Sequence, residues 1–302
     1  MEIIYLDAND IKPLCTNLSL CLGYFDGLHL GHQKVIQEAV LDSIGPVGVV
    51  TFSQAPSFIS KKHETEMVLM SNRMKARELE KIGVSYLIVL EANEKLIKMT
   101  VDQFIIKILS KLRPKCIYCG PDYRFGYLRM GDPTALKKYF KVKVVSEYRI
   151  NDEKVSSSKI IKYLKNGDLE KTKEALGRNY HLEGTITSGK HLGTEIGFPT
   201  ANFEFGVPYC LPKNGVYYTR ITIDGIDYDS LTNIGTRPTV NKKDDIVLEV
   251  HILEFSGDLY GKTAELSFVK YIREEKKFTS LEELVVQINK DIKEVGALIS
   301  QK

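Results

Sequence analysis

Between Ile3 and Val145 short apolar runs of strand length alternate with stretches of helical periodicity, and near Asn179 this gives way to period-two patterning. The strand-length runs are Ile3–Leu6, Leu18–Leu22, Val47–Phe52, Tyr86–Leu90, Cys116–Cys119 and Val142–Val145. Helices are expected between them: one from about Gly31 to Leu41, one from Asn72 to Ile82 capped by Ser71 and stopped by Gly83, and one behind a Thr100–Gln103 capping box. A chain that alternates in this way must pair its strands in parallel, because each helix carries it back across the sheet. The first half therefore reads as an α/β doubly wound parallel sheet, with ligands bound beyond the strand C-termini.

The second half reads as antiparallel strands over Tyr180–Thr187, Gly215–Ile223, Ile226–Asn233, Ile246–Phe255 and Thr263–Tyr271, with Asp224-Gly225 as a hairpin turn. Their compact spacing predicts a small antiparallel β-barrel, and Ser280 opens a C-terminal helix with an apolar face of Leu281, Leu284, Val285, Ile288 and Ile292. At 302 residues the chain exceeds the size of one ordinary domain, which gives two, 1–178 and 179–302.

The run Leu18-Ser-Leu-Cys-Leu-Gly-Tyr-Phe-Asp-Gly-Leu-His-Leu-Gly-His-Gln33 is a strand, a tight turn and a helix start. Helix starts present unpaired N–H groups and the positive end of the dipole, so they attract phosphate. Glycines at 23, 27 and 31 let the backbone approach closely, and His29 and His32 stand where phosphate oxygens would lie. The spacing fits neither a dinucleotide fingerprint nor a P-loop. Two further segments fall where the sheet would bind ligands: Gly120-Pro-Asp-Tyr-Arg-Phe-Gly126, with Asp122, Phe125 and Gly126, and Ser156-Ser-Ser-Lys159 at a second helix start. In the second half Gly189, Gly193 and Gly197 make a loop whose amides suit phosphates, while Thr200 and Asn202 offer the hard oxygen ligands that Mg²⁺ prefers. The run Ser256–Thr263 mimics a Walker motif, but its first glycine is one place late and a strand follows.

Composition closes off other classes. A net charge of +3 with scattered lysines argues against nucleic-acid binding, and no apolar run is long enough to span a membrane. Five cysteines make no secreted framework, and Cys116-Ile-Tyr-Cys119 lies in a strand that points its two thiols to opposite faces, so core packing is expected rather than zinc. The chain reads as a cytoplasmic protein acting on small molecules.

His-x-Gly-His at a strand-to-helix turn resembles the nucleotidyltransferase signature, and with Gly23, Phe25, Asp26 and Gly27 around it the resemblance narrows to the prokaryotic bifunctional riboflavin kinase and FAD synthetase family. Gly120–Gly126 is similar to that family's Gly-x-Asp/Asn-Phe-x-Phe-Gly, with Tyr123 for Phe, and Ser156–Lys159 to its Ser-Ser-Thr-x-Ile-Arg. Gly197-Phe-Pro-Thr-Ala-Asn202, with Pro199 inside it, resembles the riboflavin kinase signature, followed in order by Asn233–Thr239 and Leu248–Phe255. The resemblance implies that the second domain phosphorylates riboflavin to FMN with ATP and Mg²⁺, Glu249 acting as base. Asn233, Arg237, Arg273 and Phe278 would then hold the flavin. It implies that the first domain transfers AMP from a second ATP to FMN, giving FAD and pyrophosphate, with His29, His32 and the 156–159 segment on the nucleotide. Two departures bear on the second reaction: Ile161 stands at the family's Arg and Ala55 at its His. An aliphatic side chain cannot neutralise a developing pyrophosphate. The alternatives left open are a kinase whose transfer domain is weakened or lost, and a flavin-binding regulator without turnover.

Overall fold

The computed structural model describes residues 1–7, 11–12, 14, 17–43, 45–54, 67–188, 196–237 and 245–300, without the side chains of 237 and 245. By internal contacts the chain forms two compact units, Met1–Ser157 and Ser158–Lys302.

In the first unit β1 (Glu2–Leu6), β2 (Ser19–Leu22), β3 (Val47–Phe52), β4 (Tyr86–Leu90), β5 (Cys116–Cys119) and β6 (Val142–Val144) form one sheet in the order β1-β4-β3-β2-β5-β6. Every neighbouring pair is parallel. All four residues of β2 and of β5 are buried, as expected of strands covered on both faces. Cys116 and Cys119 are therefore core residues, and no group of metal-ligating side chains forms among the described residues. The strand order reverses beside β2: the chain runs from β2 to β3 and β4 on one side, then to β5 and β6 on the other. An open α/β sheet binds its ligand at such a reversal, and the histidine turn follows β2 while Gly120–Gly126 follows β5. The predicted caps are in place. Ser71 Oγ accepts from the Met74 amide at 3.1 Å, and Thr100 and Gln103 form the reciprocal capping box. A two-residue hairpin between β7 (Arg149–Ile150) and β8 (Glu153–Lys154), absent from the sequence reading, turns through Asn151 and Asp152 at φ 47 and 62°.

The second unit opens with the helix Ser157–Lys165, whose first residue closes the first unit, and the helix Leu169–Leu176, ended by Gly177 in the left-handed region. Six antiparallel strands then close into a barrel: β9 (His181–Thr187), β10 (Ala201–Glu204), β11 (Gly215–Ile223), β12 (Ile226–Arg237), β13 (Asp245–Ile252) and β14 (Thr263–Arg273). Four-residue β10 was not foreseen as a strand. It pairs with β9 and β13 and so removes the barrel's open edge. Inside, Thr219 Oγ1 meets Ser230 Oγ at 2.8 Å and Thr232 Oγ1 at 2.6 Å, so these buried hydroxyls satisfy one another. Outside, Val216, Tyr218 and Leu231 pack with Ile292, Val295 and Leu298 of the helix Leu281–Ile299. That helix begins at Ser280 as expected, but Leu281 is 49% exposed, and the fully buried positions, Asp291 and Val295, come later.

One ion pair ties this helix down. Arg273 Nε and Nη2 bond the Asp291 carboxylate at 2.8–3.0 Å, and Asp291 is buried. Removing one partner leaves an uncompensated charge, so Asp291→Ala should destabilise the barrel unit by about 3–5 kcal/mol. A urea titration followed by far-UV circular dichroism checks this, with an early transition expected in the variant and a superimposable curve as the contrary result.

Candidate active sites

In the first unit the turn after β2 is wound through left-handed backbone at Phe25 (φ 54°), Gly27 (φ 70°) and Leu28 (φ 42°). Two of these three carry side chains, a conformation that costs on the order of 1–3 kcal/mol per residue and persists only where surroundings impose it. The surroundings do so through the turn's carbonyls. Tyr24 O accepts from Thr51 Oγ1 and Lys75 Nζ, both at 2.8 Å, Asp26 O from Ser157 Oγ at 3.0 Å, and Leu28 O from Gln33 Nε2 at 2.9 Å. The Asp26 carboxylate accepts from the Leu69 amide at 3.0 Å. Cβ atoms added at Gly23 and Gly27 would lie 2.8 Å from Phe25 and Leu69 carbons, so the glycines are required by close packing.

The turn delivers His29 to the N-cap of the helix Leu30–Asp42, where its Nδ1 accepts from the His32 amide at 3.3 Å. That bond occupies the Nδ1 lone pair, which places the ring proton of a neutral imidazole at Nε2. The His29 and His32 rings stack with centroids 3.5 Å apart and planes 17° apart. Burial, then the neighbouring His29 and Lys75, hold His32 well below the usual histidine range, so it is neutral near pH 7. Among the described residues His32 Nδ1, which is buried, has no hydrogen-bond partner. A Cβ at Gly31 would lie 3.2 Å from the His29 ring, which explains the glycine between them.

Of the other first-half residues, Asp122 is at the surface and bonds Lys154 at 2.7 Å. Burial works against its ionisation, but that bond and charge hold the carboxyl below its ordinary range. Phe125 is a core residue packed between Phe104 and Tyr123, and Gly126 lies where a Cβ would be 3.1 Å from the Val101 backbone. Ser157 bonds the turn itself, whereas Ser156 precedes the helix and Ser158 and Lys159 lie in its first turn. Ala55, Gly189 and Gly193 fall outside the described residues, as does the side chain of Arg237. The residue that sequence reading missed is Lys75, fully buried beneath the turn.

In the second unit the barrel register does what spacing could not. Asn202 on β10 and Asn233 on β12 both pair with Glu249 on β13, so the three lie in one row across adjacent strands. Leu248, Val250 and Ile252 are buried, so Glu249 shares the opposite face of β13 with Val247 and His251. His251 Nδ1 donates to the Pro199 carbonyl at 2.8 Å, and its ring meets Phe198 edge-on at 5.6 Å. This fixes the 198–200 segment beside the Glu249 strand. Asn202 Nδ2 donates to Ser188 O at 3.3 Å, while Gly197 takes φ 85° in the loop before Thr200. Two residues of the proposed flavin set stand apart from this row: Arg273 spends its guanidinium on Asp291 and Glu274 O, with Phe278 against it at 6.0 Å.

Comparison with known proteins matches both halves. The family described as FAD synthetase matches residues 12–159 and the one described as riboflavin kinase matches 176–299. A bifunctional riboflavin kinase/FMN adenylyltransferase of Listeria monocytogenes is 32% identical, covering 100% of this chain and 99% of its own. The protein of that description from Escherichia coli K12 is 33% identical over 90% of each chain. A solved structure of a macrolide-efflux protein from Streptococcus pneumoniae superposes with a TM-score of 0.88 at 27% identity, covering 96% of this chain and 98% of that one. No helix among the described residues is long and apolar enough to cross a membrane.

Proposed function

The chain belongs to the bifunctional riboflavin kinase/FMN adenylyltransferase family, and we propose from that membership that it phosphorylates riboflavin to FMN and adenylylates FMN to FAD. The observation that carries the kinase assignment is the Asn202–Glu249–Asn233 row. A carboxylate there can take the proton of the flavin's primary hydroxyl as its oxygen attacks the γ-phosphorus of ATP, with ADP leaving. Thr200, Asn202 and the adjacent Glu249 form an all-oxygen donor set suited to a small hard cation. Mg²⁺ would be held by Thr200 and Asn202 and would neutralise the triphosphate. We assign Gly189, Gly193, Gly197 and Pro199 to ATP, and Asn233, Arg237, Arg273 and Phe278 to the flavin, Arg273 from within its pair with Asp291. We assign residues 179–302 to this reaction.

Residues 1–178 carry the second reaction. The FMN phosphate attacks the α-phosphorus of ATP, the new P–O bond forms as pyrophosphate leaves, and His29 Nε2–H and the helix start stabilise the charge. Gly23, Phe25, Asp26, Gly27 and Gly31 form the turn that makes room for the phosphates. Asp122, Phe125 and Gly126 border the nucleoside, and Ser156, Ser157, Ser158 and Lys159 stand at the following helix start. We assign both ATP-consuming reactions to the cytoplasm.

A second reading, kinase alone, is favoured by Ile161, which offers no guanidinium to the leaving group. Incubation with riboflavin, ATP and Mg²⁺ separates them: FMN and FAD are both expected, FMN alone overturns the transferase, and absence of FMN overturns the kinase. Asn202→Ala should raise the Mg²⁺ needed for half-maximal FMN formation about tenfold, a loss of roughly 1.4 kcal/mol of binding. An unchanged requirement would remove Asn202 from the metal site.

A further inference from the structure

The helix Asn72–Lys81 sends one charged side chain into the interior of the first unit: Lys75 is 1% exposed. Its ammonium has three protons and three acceptors, Tyr24 O at 2.8 Å, Thr51 Oγ1 at 3.0 Å and Asn72 Oδ1 at 3.2 Å. All three acceptors are neutral. Asp26 is near enough to act through its field, but its carboxylate bonds the Leu69 amide instead of the ammonium. The Tyr24 ring lies 4.9 Å from Nζ, which adds a cation–π contact without a counter-charge.

A buried ammonium held only by neutral oxygens is costly, and an uncharged side chain of that length would fill the space more cheaply. The Asp26 charge offsets part of that cost, and an anion arriving with the substrate would offset more. Two observations locate it. The field of Lys75 reaches His32, and His32 Nδ1 is a buried ring nitrogen with no hydrogen-bond partner among the described residues. Both lie at the turn where phosphate is expected, and the chain has Ile161 where a guanidinium is expected.

We propose that Lys75 is a positioning residue for adenylyl transfer, pinning the Tyr24 carbonyl and so the left-handed Phe25–Leu28 turn, while its buried charge keeps the phosphate site electropositive. It touches no substrate, because every ammonium proton is already bonded. The inference rests on the adenylyltransferase reading of the first unit.

The groups facing Lys75 set the pH dependence. They are Asp26 and Tyr24 of the turn, Thr51 of β3, Asn72 of its own helix, and His32 at the next helix start. Burial pushes Lys75 down to about 8, with the Asp26 charge opposing. Burial pushes Asp26 up to about 6, opposed by Lys75 and by the amides of Leu69, Met70 and Gly27. A lysine is charged below its pKa and neutral above it, so FAD formation should fall as pH rises through about 8.

The test uses the full chain with FMN, ATP and Mg²⁺, following FAD from pH 6 to 10, with urea unfolding of the same preparations as a control on folding of the first unit and FMN formation from riboflavin, in separate reactions, as a control on the second. Lys75→Met should lower kcat for FAD about thirtyfold and abolish the fall near pH 8, leaving FMN formation unchanged. Lys75→Arg, whose guanidinium stays charged, should retain more of its neutral-pH activity at pH 9 than the wild type does. FAD formation within twofold of wild type in Lys75→Met overturns the proposal. So does an alkaline fall near pH 8 that persists in Lys75→Arg, which decides the matter even where the Met variant fails to fold. A wild-type chain that makes no FAD overturns the adenylyltransferase reading and this proposal together, whereas an active wild type with an indifferent Lys75→Met overturns this one alone.

Discussion

Glu249→Gln should reduce FMN formation by about 10²–10⁴, the usual worth of a positioned general base, while FAD formation from supplied FMN stays at the wild-type rate. The substitution keeps the length of the side chain and one carbonyl oxygen, and it removes the basicity together with the negative charge. Glu249 lies mid-strand in β13, with β10 on one side and β12 on the other, so the backbone cannot drift to compensate. Its neighbours Leu248 and Val250 point the other way, into buried positions, so the change adds nothing to the barrel interior. Unfolding curves of the variant should therefore superimpose on the wild type. Glu249→Asp supplies the complementary case, because it keeps the carboxylate but withdraws it by one methylene. Activity between wild type and Gln is expected, since proton transfer depends on reach as well as basicity. Full kinase activity in Glu249→Gln would show that the ribityl hydroxyl is deprotonated elsewhere, and the Asn202–Glu249–Asn233 row would lose its meaning.

The parts of this architecture that were legible in the sequence are those whose cause is local. Ser71, Thr100 and Ser280 announce helix starts because a side-chain oxygen two or three residues from an unpaired amide has one obvious use. Asp224-Gly225 announces a hairpin because both residues tolerate positive φ, observed at 52 and 81°. The histidine turn was legible for the same reason, with strand, glycines and helix start contiguous. Ala201–Glu204 was hidden because four residues carry too little periodicity, and their extended form is imposed by β9 and β13 from elsewhere in the chain. The Arg273–Asp291 pair joins residues whose proximity only the closed barrel creates. Ser157 holds the Asp26 carbonyl, a contact between residues 131 apart that no local pattern announces. Lys75 was obscured by composition, since Asn-Arg-Met-Lys-Ala-Arg-Glu-Leu-Glu-Lys reads as a solvated helix. A signal did exist. Lys75 falls four residues before the fully buried Leu79 and next to the buried Met74 and Ala76, on the stripe that faces the core.

His29→Ala should lower FAD formation about 10²–10³-fold and leave riboflavin phosphorylation intact, but the substitution removes two things at once. It deletes the Nε2–H donor, and it deletes the Nδ1 acceptor that caps the helix Leu30–Asp42 through the His32 amide. Loss of a cap costs about 0.5–2 kcal/mol, enough to lower activity by loosening the helix start. His29→Asn separates the two effects, because an asparagine oxygen caps as well as any side chain while the shorter amide cannot occupy the place of the imidazole edge. The helix, and with it the stability of the first unit, should recover in His29→Asn; FAD formation should not. His32 sharpens the comparison. Its ring is neutral near pH 7 and stacked on His29, so His32 acts by a directed N–H dipole rather than by fixed positive charge, and FAD formation should show no limb from loss of a His32 imidazolium between pH 6.5 and 7.5. If His29→Asn restores FAD formation along with stability, the imidazole at 29 is a cap and nothing more, and the charge on the leaving pyrophosphate must be met by other groups, among them the field of the buried Lys75 ammonium bonded to the turn at Tyr24 O.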